Sequence, residues 1–385
     1  MSESTAARPA ILSRPLLLVF WGQFAAMTSA YLLLSTVPLY AEAGGAGAVG
    51  AGLATGALMF STVVAEMFVP ALVTRYGYRP VLAAGVLLLG VPALALLATR
   101  SLVPILVVSV VRGLGFAVVV VLGSALVAEL APPSRRGEAL GLYGVVIGIP
   151  AVLALPAGVW VATHLGYPLV FAVAAGAALA ALPAVPATPA RSSGPEQVQG
   201  MLTALRDPGT ARPALAFATT ALAYGALVTF LPLATTPVIA PIALLAQAVA
   251  TTFTRWWSGH HGDRHGQRRL LVPAIALAAA GVLLLAAAAH PAAALAGALL
   301  FGAGFGAAQN VSLSLMFEST PTPSTTSALW NIAFDIGIGL GGTAFGLLST
   351  ATGYPAAFAL LAALILAMLL LVRPGAGTGA RTGSD

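Results

Sequence analysis

Residues 103–130 read VPILVVSVVRGLGFAVVVVLGSALVAEL, and they carry charge only at Arg112 and Glu129. A helix needs about 20 mainly apolar residues to cross the hydrocarbon core of a bilayer, and this run is longer than that. The run is also smooth, without the alternating polarity of the strands in a membrane β-barrel. It therefore predicts a transmembrane helix, and the rest of the chain repeats the pattern.

The composition agrees with a protein embedded in lipid. Of its 385 residues 59% are hydrophobic and 7% are charged, whereas soluble proteins carry about 25% charged residues. The chain contains no Cys and no Lys, which excludes disulfides, thiolate-bound metals and a Walker A phosphate loop. We therefore expect no cofactor, no metal and no ATP-driven pump on this chain. The net charge of +6 resides in short loops, so we expect no binding to nucleic acid.

Twelve apolar runs are long enough to cross a membrane. They fall near 15–40, 47–73, 80–99, 103–130, 139–163, 168–187, 213–233, 238–257, 269–289, 292–317, 325–350 and 354–373. The predicted fold class is an all-α integral membrane protein with twelve transmembrane helices in two six-helix bundles, at 1–187 and 213–373. Between them, 188–212 is a predicted cytoplasmic linker, in which 196–206 is either a short amphipathic helix or flexible. Residues 374–385 are a predicted disordered cytoplasmic tail.

The arginines give the predicted orientation. All 17 basic residues are Arg, and 15 of them fall in cytoplasmic segments if the N-terminus is cytoplasmic. Arg100 lies in an outer loop and Arg112 lies within a span. This distribution follows the positive-inside rule. We expect a multi-pass protein of a bacterial cytoplasmic (inner) membrane, with both termini in the cytoplasm and no cleaved secretory signal.

The two halves of the chain repeat each other at an offset of 189 residues. TRYGYR (74–79) matches DRHGQR (263–268), RGLGFA (112–117) matches FGAGFG (301–306), and Glu129, Pro132 and Gly148 match Glu318, Pro321 and Gly337. GYPLVFA (166–172) matches GYPAAFA (353–359) at an offset of 187. A parallel repeat of six helices predicts a substrate site between the halves near the bilayer midplane, with the halves rocking around it.

Two six-helix repeats with a G-x-x-x-D-R-x-G-x-R loop resemble the major facilitator superfamily. The second copy of the loop matches at Gly259, Asp263, Arg264, Gly266 and Arg268, with Arg269 beside it. The first copy keeps Arg75, Gly77 and Arg79 but has Pro70 and Thr74 where Gly and Asp are usual. The resemblance implies that these loops help to lock a cytoplasmic gate, with the lock of the first half altered. Glu129, Glu318 and Arg255, at cytoplasmic ends of spans, are assigned to this gate or to a solvated rim.

The resemblance also bears on ion coupling. The fourth span, with Arg112, is similar to the buried-arginine helix of the family, which is implicated in proton coupling. The fifth span, with Gly141, Pro150, Pro156 and Gly158, weakly resembles the Gly/Pro-rich motif of the family's antiporters.

Three ionisable residues are predicted within the spans: Arg112, Asp335 and Glu66. A charge at the bilayer centre costs about 2.5–3.5 kcal/mol on insertion scales, so each of them needs a reason to be there. Surroundings poor in water favour the uncharged form of a carboxyl, which lets Asp335 or Glu66 load and release a proton. We predict that the three residues serve proton coupling. The alternatives are a static ion pair, or an acid that pairs with the arginines of the gate.

Amide and aromatic side chains in the spans supply a candidate substrate cavity. They are Gln23, Tyr31, Tyr224, Phe230, Gln247, Gln309, Asn310, Trp330 and Asn331. The resemblance implies that the first, fourth, seventh and tenth spans line the centre, which favours Gln23, Tyr31, Arg112, Tyr224, Gln309 and Asn310. The alternative for each amide is a hydrogen bond between helices. A cavity with so few amides suits a hydrophobic, cationic or zwitterionic solute rather than a sugar.

The predicted function is secondary transport: export of small hydrophobic molecules, such as a drug or secondary metabolite, by proton antiport. A proton-coupled importer or a uniporter with the same fold is the alternative, and a sensor is a weaker one. The expected partners are a small-molecule substrate, protons and lipid, and the expected oligomeric state is a monomer. An intramembrane enzyme is not expected, because the spans hold a single Asp and no H-E-x-x-H motif. The cluster His260, His261, Asp263 and His265 favours a solvated loop over a metal site.

Overall fold

The computed structural model describes residues 12–132, 135–190, 204–319 and 323–372, and the regular elements within these ranges are helices. Most of the segment at 196–206, for which the sequence left a short helix or a flexible linker open, lies outside the described residues. So does the tail at 374–385. Within the described part of the chain, no strand interrupts the succession of helices.

The N-terminal half contains six helices. They are α1 (Arg14–Leu34), α2 (Gly47–Glu66), α3 (Tyr78–Gly90), α4 (Leu102–Leu130), α5 (Arg136–His164) and α6 (Tyr167–Leu179). A short helix, Thr36–Ala41, extends α1, and 3₁₀ turns at Val91–Leu97 and Leu182–Ala187 follow α3 and α6. Another short helix, Val69–Tyr76, lies between α2 and α3.

The C-terminal half repeats this arrangement. It contains α7 (Pro208–Ala234), α8 (Ile239–His265), α9 (Arg268–Leu285) and α10 (Pro291–Ser319). A last helical segment, Pro323–Val372, is divided at Gly353, whose φ is +78°. We call its two parts α11 (323–352) and α12 (354–372).

Twelve helices, α1 to α12, therefore make up the two repeats within the described ranges. By length and composition, nine helical segments of the described residues are apolar enough to cross a membrane. Two of them contain two helices each: Arg14–Glu66 holds α1 and α2, and Thr325–Leu370 holds α11 and α12. The more polar α8 is not among the nine, but it packs against α10 and α5 as part of the same assembly. The predicted fold class is confirmed.

Local chemistry explains where two of these helices begin and end. α7 begins at Pro208, earlier than the predicted span, because the Asp207 side chain accepts a hydrogen bond from the backbone nitrogen of Thr210 at 3.1 Å and caps the helix. α2 ends at Glu66 because Pro70, four residues later, has no backbone N–H to donate to the Glu66 carbonyl. The predicted span at 47–73 is therefore broken, and Glu66 lies at the end of α2 instead of within it.

The turns of the two halves share one backbone geometry. Gly77 and Gly266, at equivalent places in the two repeats, have φ values of +84° and +91°. Gly166 and Gly353, each followed by Tyr-Pro, have φ values of +99° and +78°. Positive φ strains residues that carry a Cβ, so the repeated glycines are required by the turns they make.

The packing of α2 against α4 is repeated by α8 against α10. Thr62 Oγ1 donates to the carbonyl oxygen of Gly113 at 3.1 Å, and Thr251 Oγ1 donates to that of Gly302 at 3.0 Å. Both residues of the second pair are 189 positions beyond those of the first. The sequence repeat is therefore a repeat of helix contacts.

The packing of α3 against α4 is repeated in the same way by α9 against α10. A Cβ added at Gly115 would collide with the backbone of Leu89, and one added at Gly304 would collide with the backbone of Ala278. These pairs are again related by 189 residues. Without side chains at these glycines, neighbouring helices approach closely enough for van der Waals contact between backbones, which is how helices associate in lipid.

The outer surface of the bundle is apolar, as lipid requires. Large hydrophobic side chains such as Phe60, Val103 and Leu370 are 72%, 71% and 74% exposed. Exposure of this extent on a soluble protein would mark an interaction surface. On this chain it occurs on most of the helices, so the surface is in contact with the hydrocarbon of the membrane.

We predict that Gly115→Leu and Gly304→Leu destabilise the protein to a similar degree, because both force α4 or α10 away from the preceding helix. Overpacking a close contact costs about 1–3 kcal/mol, and the expected result is a lower midpoint of thermal unfolding in detergent. Gly176→Leu is the matched control, since a Cβ there meets no atom within 4 Å. If the control loses as much stability as the two variants, the close approach does not explain the effect.

Candidate functional site

The two halves meet along an interface with two distinct ends. We call the end that carries the turns at Gly77 and Gly266 the arginine side, because the arginines of both repeated loops lie there. We call the end that carries the turns at Gly45 and Gly353 the opposite side. The interface is packed differently at these two ends.

On the opposite side, α2 of the first half packs closely against α11 of the second. A Cβ added at Gly52 would collide with the backbone of Gly342, and one added at Gly346 would lie 2.7 Å from the carbonyl oxygen of Ala48. Next to them, the Thr55 and Thr229 hydroxyls form a hydrogen bond of 2.9 Å between α2 and α7. The opposite side is therefore closed.

On the arginine side the halves are less closely packed. Within the described residues, α4 makes no substantial contact with α11, and α5 makes none with α10. Arg255 on α8 is exposed, although it lies near Tyr31 of α1 in the other half. A side chain that faces the other half and is still open to solvent indicates that the interface opens toward the arginine side.

A central cavity lies between the halves, beneath the closed side. Its empty space, which is partly open to solvent, measures about 430 Å³, and α1, α2, α3, α4, α7 and α11 contribute to its walls. Its lining includes Tyr31, Met59, Arg112, Tyr224, Phe334 and Asp335. The cavity is therefore mostly apolar, with one basic and one acidic side chain in its wall.

Glu66 and Asp335 meet across the interface between the halves. Their carboxyl groups lie close enough to interact with each other, Glu66 at the end of α2 and Asp335 in the middle of α11. Asp335 is 4% exposed, and Glu66 is half-buried, with its Oε1 atom out of contact with solvent. Two neighbouring carboxyls in surroundings poor in water disfavour a second negative charge, so the pair can store one proton.

Arg112 is held by backbone carbonyl groups. Its Nε donates to the carbonyl oxygen of Leu89 at 3.0 Å, and its Nη2 donates to that of Ser29 at 3.4 Å. The side chain is 2% exposed, and no carboxylate of the described residues forms an ion pair with it. Arg112 therefore keeps its charge at the wall of the cavity while it ties α4 to α3 and α1.

Arg255 lies in the interface rather than at a distant helix end. Its Nη1 donates to Gln309 Oε1 at 3.1 Å, and its guanidinium carbon lies 5.8 Å from the centre of the Trp330 ring. The sequence alone predicts a place for Arg255 in the gate or on a solvated rim. The repeat indicates this position, because Arg255 lies 189 residues beyond Glu66. The two halves therefore have a base and an acid at equivalent positions.

Aromatic rings of the C-terminal half form a stacked wall next to Arg255. The Phe217 ring lies 4.4 Å from Trp330 and 5.8 Å from Phe334, with interplanar angles of 8° and 5°. Tyr224 stacks on Phe305 at 4.8 Å. We call these five residues the aromatic wall. Phe217, Phe305 and Phe334 were not among the predicted cavity residues, because their spacing along separate helices does not indicate which rings meet.

The remaining predicted cavity residues lie in several places. Gln23 is inside the N-terminal half, where it accepts a hydrogen bond from the Tyr143 hydroxyl at 3.4 Å, and a second, smaller cavity surrounds it. Gln247 donates to Thr251 within α8 at 2.8 Å. Phe230 packs on Phe345 near the closed side, with ring centres 5.0 Å apart.

Two amides and one indole complete that set. Asn310 is half-buried and lies close to Gly259 on α8, and its Nδ2 atom has no hydrogen-bond partner among the described residues. Asn331 is half-buried on α11. The Trp330 indole nitrogen donates to Ser312 Oγ at 3.2 Å, which orients this ring in the aromatic wall.

The first predicted gate loop is tied to its own half. Arg79 Nε donates to the carbonyl oxygen of Thr188 at 3.0 Å, and the Arg75 guanidinium lies 5.2 Å from the Tyr76 ring centre. A Cβ added at Gly77 would collide with the Ala190 carbonyl oxygen. The loop therefore packs against the segment that follows α6.

The second predicted gate loop forms the end of α8. Gly259 lies within α8, Gly266 makes the turn into α9, and Arg264 and Arg268 are exposed on either side of that turn. Asp263 lies in the last turns of α8, and Glu129 and Glu318 lie near the ends of α4 and α10. His261 and His265 stack at 4.2 Å, and no group of metal-binding side chains occurs among the described residues.

Comparisons with known proteins agree with this architecture. The fold is similar to that of a nucleoside transporter, NupG, with a TM-score of 0.71 and 14% identity over 93% of this chain and 99% of that chain. It is also similar to the xylose transporter XylE from E. coli in a partially occluded inward open conformation, with a TM-score of 0.71 and 14% identity over 92% and 95% of the two chains. A D-xylose-proton symporter gives 0.75 and 14% identity over 93% and 96%.

Such low identities show the fold alone, and no curated protein matches the sequence. The family model described as Major Facilitator Superfamily matches residues 19–326 and, in a second match, 234–382. These matches together cover most of the chain. The chain is therefore a multi-pass membrane transporter of small molecules and not an enzyme, and it belongs to the Major Facilitator Superfamily.

Proposed function

We propose that the protein exports a small, largely apolar molecule across a bacterial cytoplasmic membrane in exchange for protons. The observation that carries this proposal is the carboxyl pair of Glu66 and Asp335, which joins the two halves beside the central cavity. The arginine side is taken as cytoplasmic, since basic residues are retained on that side of a membrane. The chain acts as a monomer, because one chain supplies both walls of the cavity.

The pair couples protonation to the arrangement of the halves. With one proton between them, the two carboxyls attract each other and hold α2 against α11. Without that proton both are negative, and like charges at this distance repel strongly in surroundings poor in water. Loss of the proton therefore favours separation of α2 from α11, and its return favours the closed arrangement.

In this proposal the substrate is loaded from the open arginine side. Substrate enters the cavity from the cytoplasm while α2, α7 and α11 close the opposite side. Release of the shared proton to the cytoplasm permits the halves to rock, and the substrate then leaves through the opposite side. A proton from outside rejoins the pair and restores the first arrangement, so that substrate and proton move in opposite directions.

Import by symport is the second candidate. A structure with a similar fold is described as a D-xylose-proton symporter, and the same carboxyl pair can serve either direction. The two are distinguished by the sign of proton movement when a solute crosses the membrane.

We predict that Asp335→Asn and Glu66→Gln each abolish proton movement coupled to a transported solute, because either amide removes one member of the pair. Purified protein in liposomes that contain a pH-sensitive dye is given candidate solutes under an imposed pH gradient. Glu42→Gln is the matched control, since Glu42 is exposed on the opposite side. The expected result is solute-dependent alkalinisation or acidification in wild type and control, and none in the two variants.

The outcomes of this experiment decide between the candidates. Opposite movements of solute and proton support antiport, and movement in the same direction overturns it in favour of symport. If Asp335→Asn still couples solute to proton, the pair is not the coupling site. A flux that ignores pH in the wild type identifies a uniporter.

We further predict that a cross-link between Thr55→Cys and Gly342→Cys stops transport. A Cβ at position 342 lies 2.8 Å from the Thr55 Cβ, and a small shift to about 3.5–4.5 Å gives the Cβ separation of a disulfide. The chain has no other Cys, so oxidation produces one defined bond. Uptake should fall to the level of empty liposomes after oxidation and return after reduction.

Two variants control for this cross-link. Thr55→Cys alone tests the loss of the Thr55–Thr229 hydrogen bond, and Thr55→Cys with Gly176→Cys places the second thiol on α6 of the N-terminal half. Neither should respond to oxidant. Full transport by the cross-linked protein would show that α2 and α11 do not separate during the cycle.

A further inference from the structure

We infer that the cavity binds a planar aromatic carboxylate, with the ring system on the aromatic wall and the carboxylate on Arg255. This inference names the substrate class of the proposed transport site, and so it rests on the proposed function. It keeps the hydrophobic character of the solute that the sequence suggested but replaces the cationic or zwitterionic charge with a negative one. Three observations support it: accessible rings in the aromatic wall, unused hydrogen-bond donors on Arg255, and a net positive charge around the cavity.

The accessible part of the aromatic wall comes from the Trp330 and Phe334 rings, because Phe217 and Phe305 are buried. The Phe217, Trp330 and Phe334 rings are nearly parallel, within 10° of one another. Phe334 lines the central cavity, and both Trp330 and Phe334 are half-buried, so part of their surface is open to a ligand. Offset stacking of aromatic rings contributes beyond the area that it buries. The position equivalent to Trp330 in the N-terminal half is Gly141, so the wall belongs to one half only.

Arg255 has hydrogen-bond donors to spare. A guanidinium has five N–H donors in a planar fork that matches a carboxylate, and among the described residues Arg255 donates to Gln309 alone. That bond and the Trp330 ring fix the position of the guanidinium at the edge of the wall. The residue is exposed, so an anion can reach its remaining donors without displacing a protein partner.

The charges around the cavity favour an anion. Arg112 and Arg255 contribute two positive charges, and the carboxyl pair contributes one negative charge while it shares a proton. The surplus is positive, so it attracts a carboxylate and repels a cation. Asp335 and Arg255 both lie near the Tyr31 side chain.

Binding to three probes of equal ring size tests this inference. They are 2-naphthoate, the neutral 2-naphthamide and the cationic 2-naphthylmethylammonium, added to the full-length protein in detergent at one fixed pH, with affinity measured by calorimetry. We expect 2-naphthoate to bind at least about tenfold more tightly than the amide, since a hydrogen bond to a charged group is worth about 1.5–3 kcal/mol. Cyclohexanecarboxylate, with charge but no aromatic ring, should bind more weakly than 2-naphthoate.

Variants locate the binding to the two parts of the site. Arg255→Gln should lower the affinity for 2-naphthoate by about tenfold or more and leave the affinity for 2-naphthamide unchanged. Arg255→Lys should restore part of the affinity for 2-naphthoate. Trp330→Leu should weaken both naphthyl probes. Arg212→Gln, an exposed arginine at the start of α7, and Trp160→Leu, an exposed ring on α5, are the matched controls.

The results separate failure of this inference from failure of the proposed function. If the cation or the amide binds as tightly as 2-naphthoate, or if Arg255→Gln does not alter its affinity, the substrate class is wrong. In that case, solute-driven proton movement that depends on Asp335 still supports the antiport proposal. If 2-naphthoate binds as expected but neither it nor any other solute moves protons, the binding site stands and the proposed coupling fails.

Discussion

Absence of water from the space between the helices is the constraint on which the other features of this protein depend. In such surroundings a charge is costly, so each ionisable side chain needs partners from the protein. Arg112 uses two backbone carbonyls, and Glu66 and Asp335 lie beside each other; Arg255, which solvent reaches, is positioned by Gln309 and the face of Trp330. These contacts place the ionisable side chains that can hold a charge or a proton near the boundary between the halves.

Close packing through glycine makes this boundary both tight and separable. Backbone contacts between α2 and α11 close the opposite side without interlocking large side chains. Two helix faces without large interlocking side chains can separate and pack again at a small cost in free energy, because few side chains have to change rotamer. Glycine also permits close backbone contact within each half, at Gly115 and Gly304. These contacts hold the helices of one half together.

The duplicated scaffold carries chemistry that differs between the halves. Thr62 and Thr251 make the same bond to equivalent glycines, yet one turn further along the helices the first half has Glu66 and the second has Arg255. Likewise, the residue equivalent to Trp330 in the first half is Gly141. The repeated backbone contacts keep the two halves similar in shape, as rocking requires. The side chains that differ between the halves give the cavity one acidic side and one aromatic, basic side.

Hydropathy, the positions of the arginines and the repeat were sufficient to predict the fold, because a membrane allows few arrangements of a chain with twelve apolar runs. They also singled out Arg112, Glu66 and Asp335, since charges stand out in apolar segments. Which of these meet could not be predicted: the Glu66–Asp335 pair joins residues far apart in sequence, and Gln23 proved to face the interior of one half. Periodicity gives the face of a helix but not the neighbour that covers it, so the carboxyl pair, the position of Arg255 and the aromatic wall arose only from the packing of the two halves.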